Sequence, residues 1–256
     1  MWKALREWTR KGNEKYIIMV HPSGWRKPNI SRCKYTGLFH EMVRHNYIRR
    51  LSIHGNKDGR KTFHSNTRYD WYLLERVPSG ERETMVRDER GHEVIEKMGI
   101  TWEWFPNYAY SNLRKWMVVV PDQTCRIMYS RNAYGSDKKH MSKEKDEVFR
   151  YACVHTTTKN GVRFMYSNVN DRGMFGVPKV VFGRTGYQNG IIDWHGQYGL
   201  TEHAIAIPFH HLQEAAEILA FTKSSRFKEM MDACSWSNFM IDWYVFQSFR
   251  SDFYRH

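Results

Sequence analysis

Residues Gly161–Ile207 decide the fold of the C-terminal part of the chain and read GVRFMYSNVNDRGMFGVPKVVFGRTGYQNGIIDWHGQYGLTEHAIAI. Short runs of β-branched, aromatic and aliphatic residues alternate with turns that contain glycine, asparagine and aspartate. Runs of about five residues between such turns are typical of antiparallel strands joined by tight loops. The pattern predicts strands at Val162–Tyr166, Lys179–Phe182, Ile191–Asp193 and His203–Ile207.

Four basic side chains lie in or beside these turns: Arg163, Arg172, Lys179 and Arg184. Arginine and lysine donate hydrogen bonds to phosphate oxygens and to the edges of bases, so the stretch predicts contacts with DNA. An ordinary β-rich domain with polar turns is the simpler alternative, and the stretch alone does not separate the two.

The charge of the chain points to a polyanionic partner. The formal net charge is +13, while 41% hydrophobic and 15% aromatic residues argue against disorder. Residues 1–77 hold 17 lysines and arginines against 6 aspartates and glutamates, whereas residues 161–256 hold 9 of each. Bulk attraction to phosphate is therefore expected from the first third of the chain, and double-stranded DNA is the expected partner.

Several other classes of site and location are disfavoured. The four cysteines, at 33, 125, 153 and 234, are too far apart in sequence for a zinc or redox pair, and their spacing is typical of reduced intracellular thiols. No histidine pair has metal-ligand spacing, no apolar run approaches the length of a membrane span, and no catalytic residue is assigned. We expect a cytoplasmic protein without a metal site or a membrane segment.

The first third of the chain has the pattern of an α/β sheet. A helix is predicted at Trp2–Lys11, and the apolar run Tyr16–Val20 is typical of a strand buried on both faces, as in a parallel sheet. A helix at Gly37–His45 and strands at Tyr47–His54 and Tyr69–Val77 follow, with a turn at residues 55–59. This order predicts the C-terminal half of a doubly wound sheet that ends in an antiparallel hairpin.

The strings YIIMVHPSGWRKP, YIRRLSIHG and GRKTFHSNTRYDWYLLER, with the later FGVPKVVFG and GIIDWHGQYGLTEHAIAI, resemble adenine-N6 DNA methyltransferases of restriction–modification systems. The ending SSRFKEMMDACSWSNFMIDWYVFQSFRSDFY is similar as well. The resemblance covers the part that follows the catalytic Asn-Pro-Pro-Tyr motif of that family. It implies an α/β fold: the C-terminal half of a doubly wound methyltransferase-like sheet, followed by an α+β target-recognition domain.

The resemblance also implies a division of the chain. Residues 1–77 would form the partial sheet, 78–100 a linker with an exposed hairpin, and 101–256 the DNA-binding domain. The family's glycine motif for S-adenosylmethionine and its Asn-Pro-Pro-Tyr motif do not occur in this sequence. This chain alone is therefore expected to bind no cofactor, and a methyltransferase N-terminal chain would bring S-adenosylmethionine and the catalytic loop.

One aromatic residue and six basic residues are predicted to contact DNA in this first part. Phe63 matches the position at which the family stacks an aromatic ring on the flipped adenine, and a partly buried hairpin aromatic is the alternative. The basic residues belong to the two loops expected at the C-terminal edge of the sheet: Arg26, Lys27, Arg32, Lys57, Arg60 and Lys61. A non-catalytic sequence-specific DNA-binding protein and a restriction endonuclease subunit remain as alternative functions.

Overall fold

The computed structural model describes residues 16–28, 37–118, 123–130, 138–185, 189–237 and 240–256. The predicted helix at residues 2–11 and the predicted DNA contact Arg32 lie outside these ranges. The chain forms two compact units. Unit 1 comprises residues 1–110 and 233–238, and unit 2 comprises residues 111–232 and 239–256.

Unit 1 contains a five-stranded mixed sheet. Its strands are β1 (Tyr16–Pro22), β2 (Tyr47–His54), β3 (Tyr69–Glu75), β4 (Thr84–Arg87) and β5 (Glu93–Glu96). The spatial order is β1-β3-β2-β4-β5, and β3 runs antiparallel to both β1 and β2. The positions of the strands predicted in the first 77 residues are confirmed, and β1 and β2 point the same way with β3 between them. The prediction that Tyr16–Val20 is buried on both faces is wrong, because β1 pairs antiparallel with β3 and Ile18 and Val20 are 75% and 55% exposed.

The linker predicted at residues 78–100 differs from the structure. β4 pairs in parallel with β2 and antiparallel with β5, so this segment continues the sheet. The predicted hairpin is confirmed, and Gly91 forms its turn with φ of +88°. The alternation of buried and exposed residues in β4 explains why a segment rich in charge still forms a strand, since only one of its faces is buried.

One face of the sheet in unit 1 is covered by an aromatic core. Helix α1 (Leu38–His45) connects β1 to β2 and buries Phe39 against Trp25 and Phe105. A second helix, α2 (Asn56–Phe63), follows β2 directly. The short helix α3 (Met98–Thr101) and the aromatic segment after it complete the core layer. The aromatic side chains between residues 102 and 110 are therefore core packing, which is the more common role of such clusters.

Unit 2 contains two further sheets. One has the order β10-β9-β12, built from β9 (Lys179–Gly183), β10 (Ile191–Asp193) and β12 (Ala204–Pro208). The other has the order β11-β7-β8-β6, built from β6 (Met141–Ser142), β7 (Tyr151–Thr158), β8 (Gly161–Ser167) and β11 (Gly199–Leu200). All four strands predicted between residues 161 and 207 are confirmed.

The core of unit 2 lies between these sheets and around an aromatic cluster. Val154, Val181 and Leu200 are fully buried where the two sheets meet. Helices α4 (Tyr110–Trp116), α5 (Leu212–Thr222) and α6 (Ser225–Ala233) supply the remaining layer. A 3₁₀ helix at Trp243–Ser248 packs Phe246 on Phe182. Met117 forms an isolated bridge with Phe249.

Candidate nucleic-acid interface

An edge of the sheet in unit 1 collects basic and aromatic side chains. Strands β1 and β2 end there and β3 begins there, because Pro22 and His54 both pair with Tyr69. The carboxyl ends of parallel strands are where α/β sheets bind ligands. We call this place the basic–aromatic edge; it consists of His54, Tyr69 and helix α2.

Helix α2 replaces the turn predicted at residues 55–59. Glycine is needed at position 59 of this helix, because the backbone there lies against the Thr67 carbonyl oxygen with no space for a side chain. Gly59 is its only buried residue, and the left-handed His64 ends it at φ of 53°. A helix with no apolar stripe directs its long side chains to solvent. Lys57, Arg60 and Lys61 are therefore exposed, as a phosphate-binding surface requires.

Phe63 is the last residue of α2 and stands at the same edge. Its ring meets the Tyr69 ring edge-on at 4.8 Å, and His54 stacks flat on the same tyrosine at 4.5 Å. The Tyr69 hydroxyl lies 3.2 Å from the hydroxyl of Thr62. Phe63 is nevertheless 47% exposed. The ring is held in position by one neighbour while much of its surface stays open, which is the arrangement a base-stacking side chain needs.

The predicted DNA contact at Arg26 is wrong. Its guanidinium is fully buried and donates to both carboxylate oxygens of Asp70, at 2.7 and 3.0 Å. The remaining donors go to the carbonyl oxygens of Phe105 and Pro106 and to the amide oxygen of Asn107. All five N–H groups are therefore used inside unit 1. Lys27, the next residue, is exposed.

One predicted contact of unit 2 is wrong for the same reason. Lys179 is fully buried and donates to Asp193 at 2.7 Å and to the carbonyl oxygen of Val177. Burial lowers the pKa of Lys179, and the Asp193 carboxylate opposes that shift. The Asp193 oxygens also accept the backbone N–H groups of Gln197 and Tyr198, so the pair fixes the loop after β10.

Arg184 is half-buried and makes several contacts within unit 2. It donates to the carbonyl oxygens of Glu202 and Ile241, each at 3.0 Å, and its guanidinium lies over the Tyr129 ring. Arg163 and Arg172 are exposed, and Arg172 lies 3.4 Å from the Asp171 carboxylate. Of the four basic residues predicted in the central stretch, these two remain accessible to a ligand.

A second aromatic surface in unit 2 has no counterpart in the sequence-based prediction. The turn that Asp193 holds presents Trp194 to solvent, edge-on to Phe209 at 5.5 Å. An open cleft of about 640 Å³ lies beside it, lined also by three histidines: His195, His210 and His211. The sequence signal was an aspartate followed by Trp-His-Gly, because aspartate side chains accept backbone N–H groups of the turn that follows them.

The described residues do not fit S-adenosylmethionine. Such a cofactor needs a strand followed by a glycine-rich turn and a helix, with space above the glycine. In unit 1 the described connection of this kind is the one from β2 to α2 at Gly55, and there the Glu89 side chain occupies the place of a Cβ atom. Burial raises the pKa of Glu89, and Arg68 holds its carboxylate at 3.2 Å.

The comparisons with known proteins identify no relative of this chain. No protein-family model matches the chain, and a search of curated proteins finds no match either. In the described ranges, no group of three or more histidine, cysteine, aspartate or glutamate side chains has the geometry to hold a metal ion. Within those same residues, no helix combines the length and hydropathy that crossing a membrane requires.

Proposed function

We propose that this chain is the DNA-binding and target-recognition part of an adenine-N6 DNA methyltransferase, and that it works with a partner chain that supplies S-adenosylmethionine and the catalytic motif. The observation that carries the proposal is the basic–aromatic edge. There, a half-exposed Phe63 stands on a helix whose lysine and arginine side chains point to solvent.

The chemistry of this edge suits duplex DNA with one base unstacked. Exposed Lys57, Arg60 and Lys61 neutralise phosphates without reading sequence. An aromatic face accepts an unpaired base, and such stacking contributes about 1–3 kcal/mol per base. Phosphate binding and base stacking on one short helix are the two functions that an enzyme acting on an extruded base combines.

The strand directions are compatible with the α/β class that the proposal needs. β1 and β2 are parallel with β3 antiparallel between them, and the sheet continues beyond β2 into β4 and β5. The described part of unit 1 does not fit the cofactor, which supports a division of labour between two chains. A DNA-binding protein without any catalytic partner is the second candidate, and the same poor fit to the cofactor favours it equally.

The test is fluorescence anisotropy with a labelled DNA duplex over a range of salt concentrations. Wild-type affinity should fall steeply with salt through release of counterions. Replacing Lys57, Arg60 and Lys61 together by alanine should lower the slope of log K against log salt by roughly 2–3, since each phosphate contact contributes about 0.9. The exposed Lys143, Lys145 and Arg150 of unit 2 provide a matched control with the same change in charge.

The outcome of this experiment separates the proposals. No binding to duplex DNA by the wild-type chain, or equal losses in the α2 variant and the control variant, contradicts a DNA-binding role for the basic–aromatic edge. DNA binding without methyl transfer, in the presence of a methyltransferase N-terminal chain that carries the Asn-Pro-Pro-Tyr motif, favours the second candidate.

A further inference from the structure

The cleft beside Trp194 in unit 2 has no part in the proposed function. Its volume is about 640 Å³, and ligand sites commonly have volumes of about 300–1,000 Å³ with an apolar wall and a few polar groups. The apolar wall of this cleft includes Trp194, Phe209 and Leu212. Its polar side chains are the imidazoles of His195, His210 and His211. We call this place the tryptophan–histidine cleft.

The indole of Trp194 is presented by a turn that hydrogen bonds hold in place. The carboxylate oxygens of Asp193 accept the backbone N–H groups of Gln197 and Tyr198, at 2.9 and 3.0 Å. The Trp194 ring makes a T-shaped contact with Phe209 and is still 40% exposed. An aromatic surface on a turn that is already ordered loses little conformational freedom when a ligand stacks on it.

The three imidazoles are polar groups that the protein itself does not use. His195 follows Trp194 in the same turn, and His210 and His211 stand directly before α5. The Glu214 carboxylate accepts the backbone N–H of His210 at 2.8 Å, which ties this segment to the helix. All three histidines are exposed, and within the described ranges their rings form no hydrogen bond or ion pair. Each neutral imidazole therefore offers one N–H donor and one acceptor to a ligand.

The chemistry of this lining restricts the ligand. No described residue that lines the cleft carries a carboxylate, so a cation would find no counter-charge there. An apolar peptide side chain would take water from the imidazoles and give them no partner, which is unfavourable. A planar ring with hydrogen-bond acceptors and an attached anion satisfies both parts of the lining, because an indole stacks on such a ring and imidazoles donate to its acceptors.

We propose that the tryptophan–histidine cleft binds a nucleobase together with its phosphate. The base stacks on Trp194, and the imidazoles donate to phosphate oxygens and to the base edge. Two sources supply this chemistry: a free nucleotide and an unpaired base of a DNA strand. The site goes beyond the proposed function, because it lies in unit 2 and does not depend on duplex binding by the basic–aromatic edge of unit 1.

The first experiment is isothermal titration calorimetry of the whole chain with deoxyadenosine 5′-monophosphate and with deoxyadenosine. The monophosphate is expected to bind more tightly than the nucleoside. Trp194→Ala should lower its affinity about 5- to 150-fold, which corresponds to one stacked base at about 1–3 kcal/mol. Trp194→Tyr should retain most of the affinity, because tyrosine keeps an aromatic face. The control is Val148→Ala, which shortens a 59% exposed side chain elsewhere in unit 2.

The histidines are tested by joint replacement of His195, His210 and His211 with glutamine. This variant should bind the monophosphate and the nucleoside with nearly equal affinity, since the donors to the phosphate are gone. The matched control replaces three exposed histidines outside the cleft in the same way: His45, His92 and His256. That control should keep the wild-type preference for the monophosphate.

The second experiment is fluorescence anisotropy with a labelled single-stranded deoxyadenylate decamer. Binding of the strand without binding of the mononucleotide, weakened by Trp194→Ala, identifies a DNA strand as the source of the base. Binding of the mononucleotide at least as tight as that of the strand identifies a free nucleotide. Each of these results supports the site.

Three results would overturn the inference: no binding of either probe, equal affinity of the wild type and Trp194→Ala for both probes, or an unchanged preference for the monophosphate in the histidine variant. Anisotropy with duplex DNA separates this failure from failure of the proposed function. Absence of duplex binding together with intact, Trp194-dependent nucleotide binding would contradict the proposed function alone.

Discussion

At the scale of single residues, burial gives opposite roles to side chains that the sequence places in one predicted site. Arg26 and Lys27 are neighbours, yet Arg26 is fully buried with Asp70 and Lys27 is exposed. A buried guanidinium whose donors are all satisfied inside unit 1 has none left for phosphate. The same difference separates Lys179 from the exposed Arg163 in unit 2.

Substitution of these neighbours should therefore have opposite consequences. Arg26→Met leaves the buried Asp70 carboxylate without its partner, and removal of one member of a buried pair costs about 3–5 kcal/mol. Urea denaturation followed by tryptophan fluorescence should show that loss. Lys27→Met should leave the unfolding free energy almost unchanged and lower affinity for duplex DNA. A stable Arg26→Met protein with weakened DNA binding would restore the original prediction for Arg26.

Phe63 provides the second test at this scale. Phe63→Ala should weaken binding to a duplex that carries one unpaired 2-aminopurine by about 5- to 150-fold, which corresponds to a stacking energy of about 1–3 kcal/mol. Phe63→Trp should retain binding and quench the fluorescence of the probe, because it keeps an aromatic face. Equal binding by the alanine and tryptophan variants would mean that the ring only packs on Tyr69.

At the scale of elements, the short helix α2 shows a tertiary contact overriding a local preference. Gly59 lies in the helix interior, where alanine is ordinarily favoured by about 1 kcal/mol. Here the Thr67 carbonyl oxygen occupies the place of its Cβ atom. The overlap is with a backbone atom, which cannot move aside. The steric cost of an alanine Cβ atom at this position is therefore larger than the free energy gained from the higher helix propensity of alanine.

Gly59→Ala is therefore expected to destabilise the protein by about 1–3 kcal/mol, the usual cost of overpacking. It should also weaken DNA binding, because displacement of α2 moves Lys57 and Lys61. Thermal denaturation and anisotropy measure the two effects. Gly24→Ala is the control, since a Cβ atom there meets no neighbour and φ is not positive. A more stable Gly59→Ala protein would show that α2 is free to shift.

At the scale of the whole molecule, the chain combines a basic unit with a nearly neutral C-terminal part. Residues 161–256 hold equal numbers of acidic and basic residues, and the surplus of charge belongs to the first third. Attraction to phosphate is then expected from the first third of the chain, and any recognition of the DNA sequence from the C-terminal part. Arg163 and Arg172 are the members of the predicted reading set that the structure leaves exposed.

The purified chain should neither bind S-adenosylmethionine nor methylate DNA. At the described connection from β2 to α2 in unit 1, the Glu89 side chain fills the space above Gly55 that a nucleotide cofactor would need. Isothermal calorimetry with the cofactor and transfer of labelled methyl groups to duplex DNA are the measurements. Micromolar affinity of this chain alone for the cofactor would contradict the proposed division between two chains.

The sequence by itself determined much of the secondary structure. Period-two patterns and glycine-bearing turns located the strands between residues 161 and 207, because both are local properties of the chain. The apolar run at Tyr16–Val20 and the helix after it likewise gave the α/β class of unit 1. The excess of basic residues in the first third of the chain also followed from the sequence alone.

Only the tertiary structure decided which side chains are accessible. Arg26, Lys179 and Arg184 stand in polar, turn-rich segments like those of their exposed neighbours, and their partners Asp70, Asp193 and the Glu202 carbonyl are distant in sequence. The sequence also did not predict that one side of β1 is exposed, because an apolar run indicates burial without identifying the residues that would cover it. Tertiary packing decides which residues distant in sequence become hydrogen-bond partners, and a local sequence pattern does not predict such pairs.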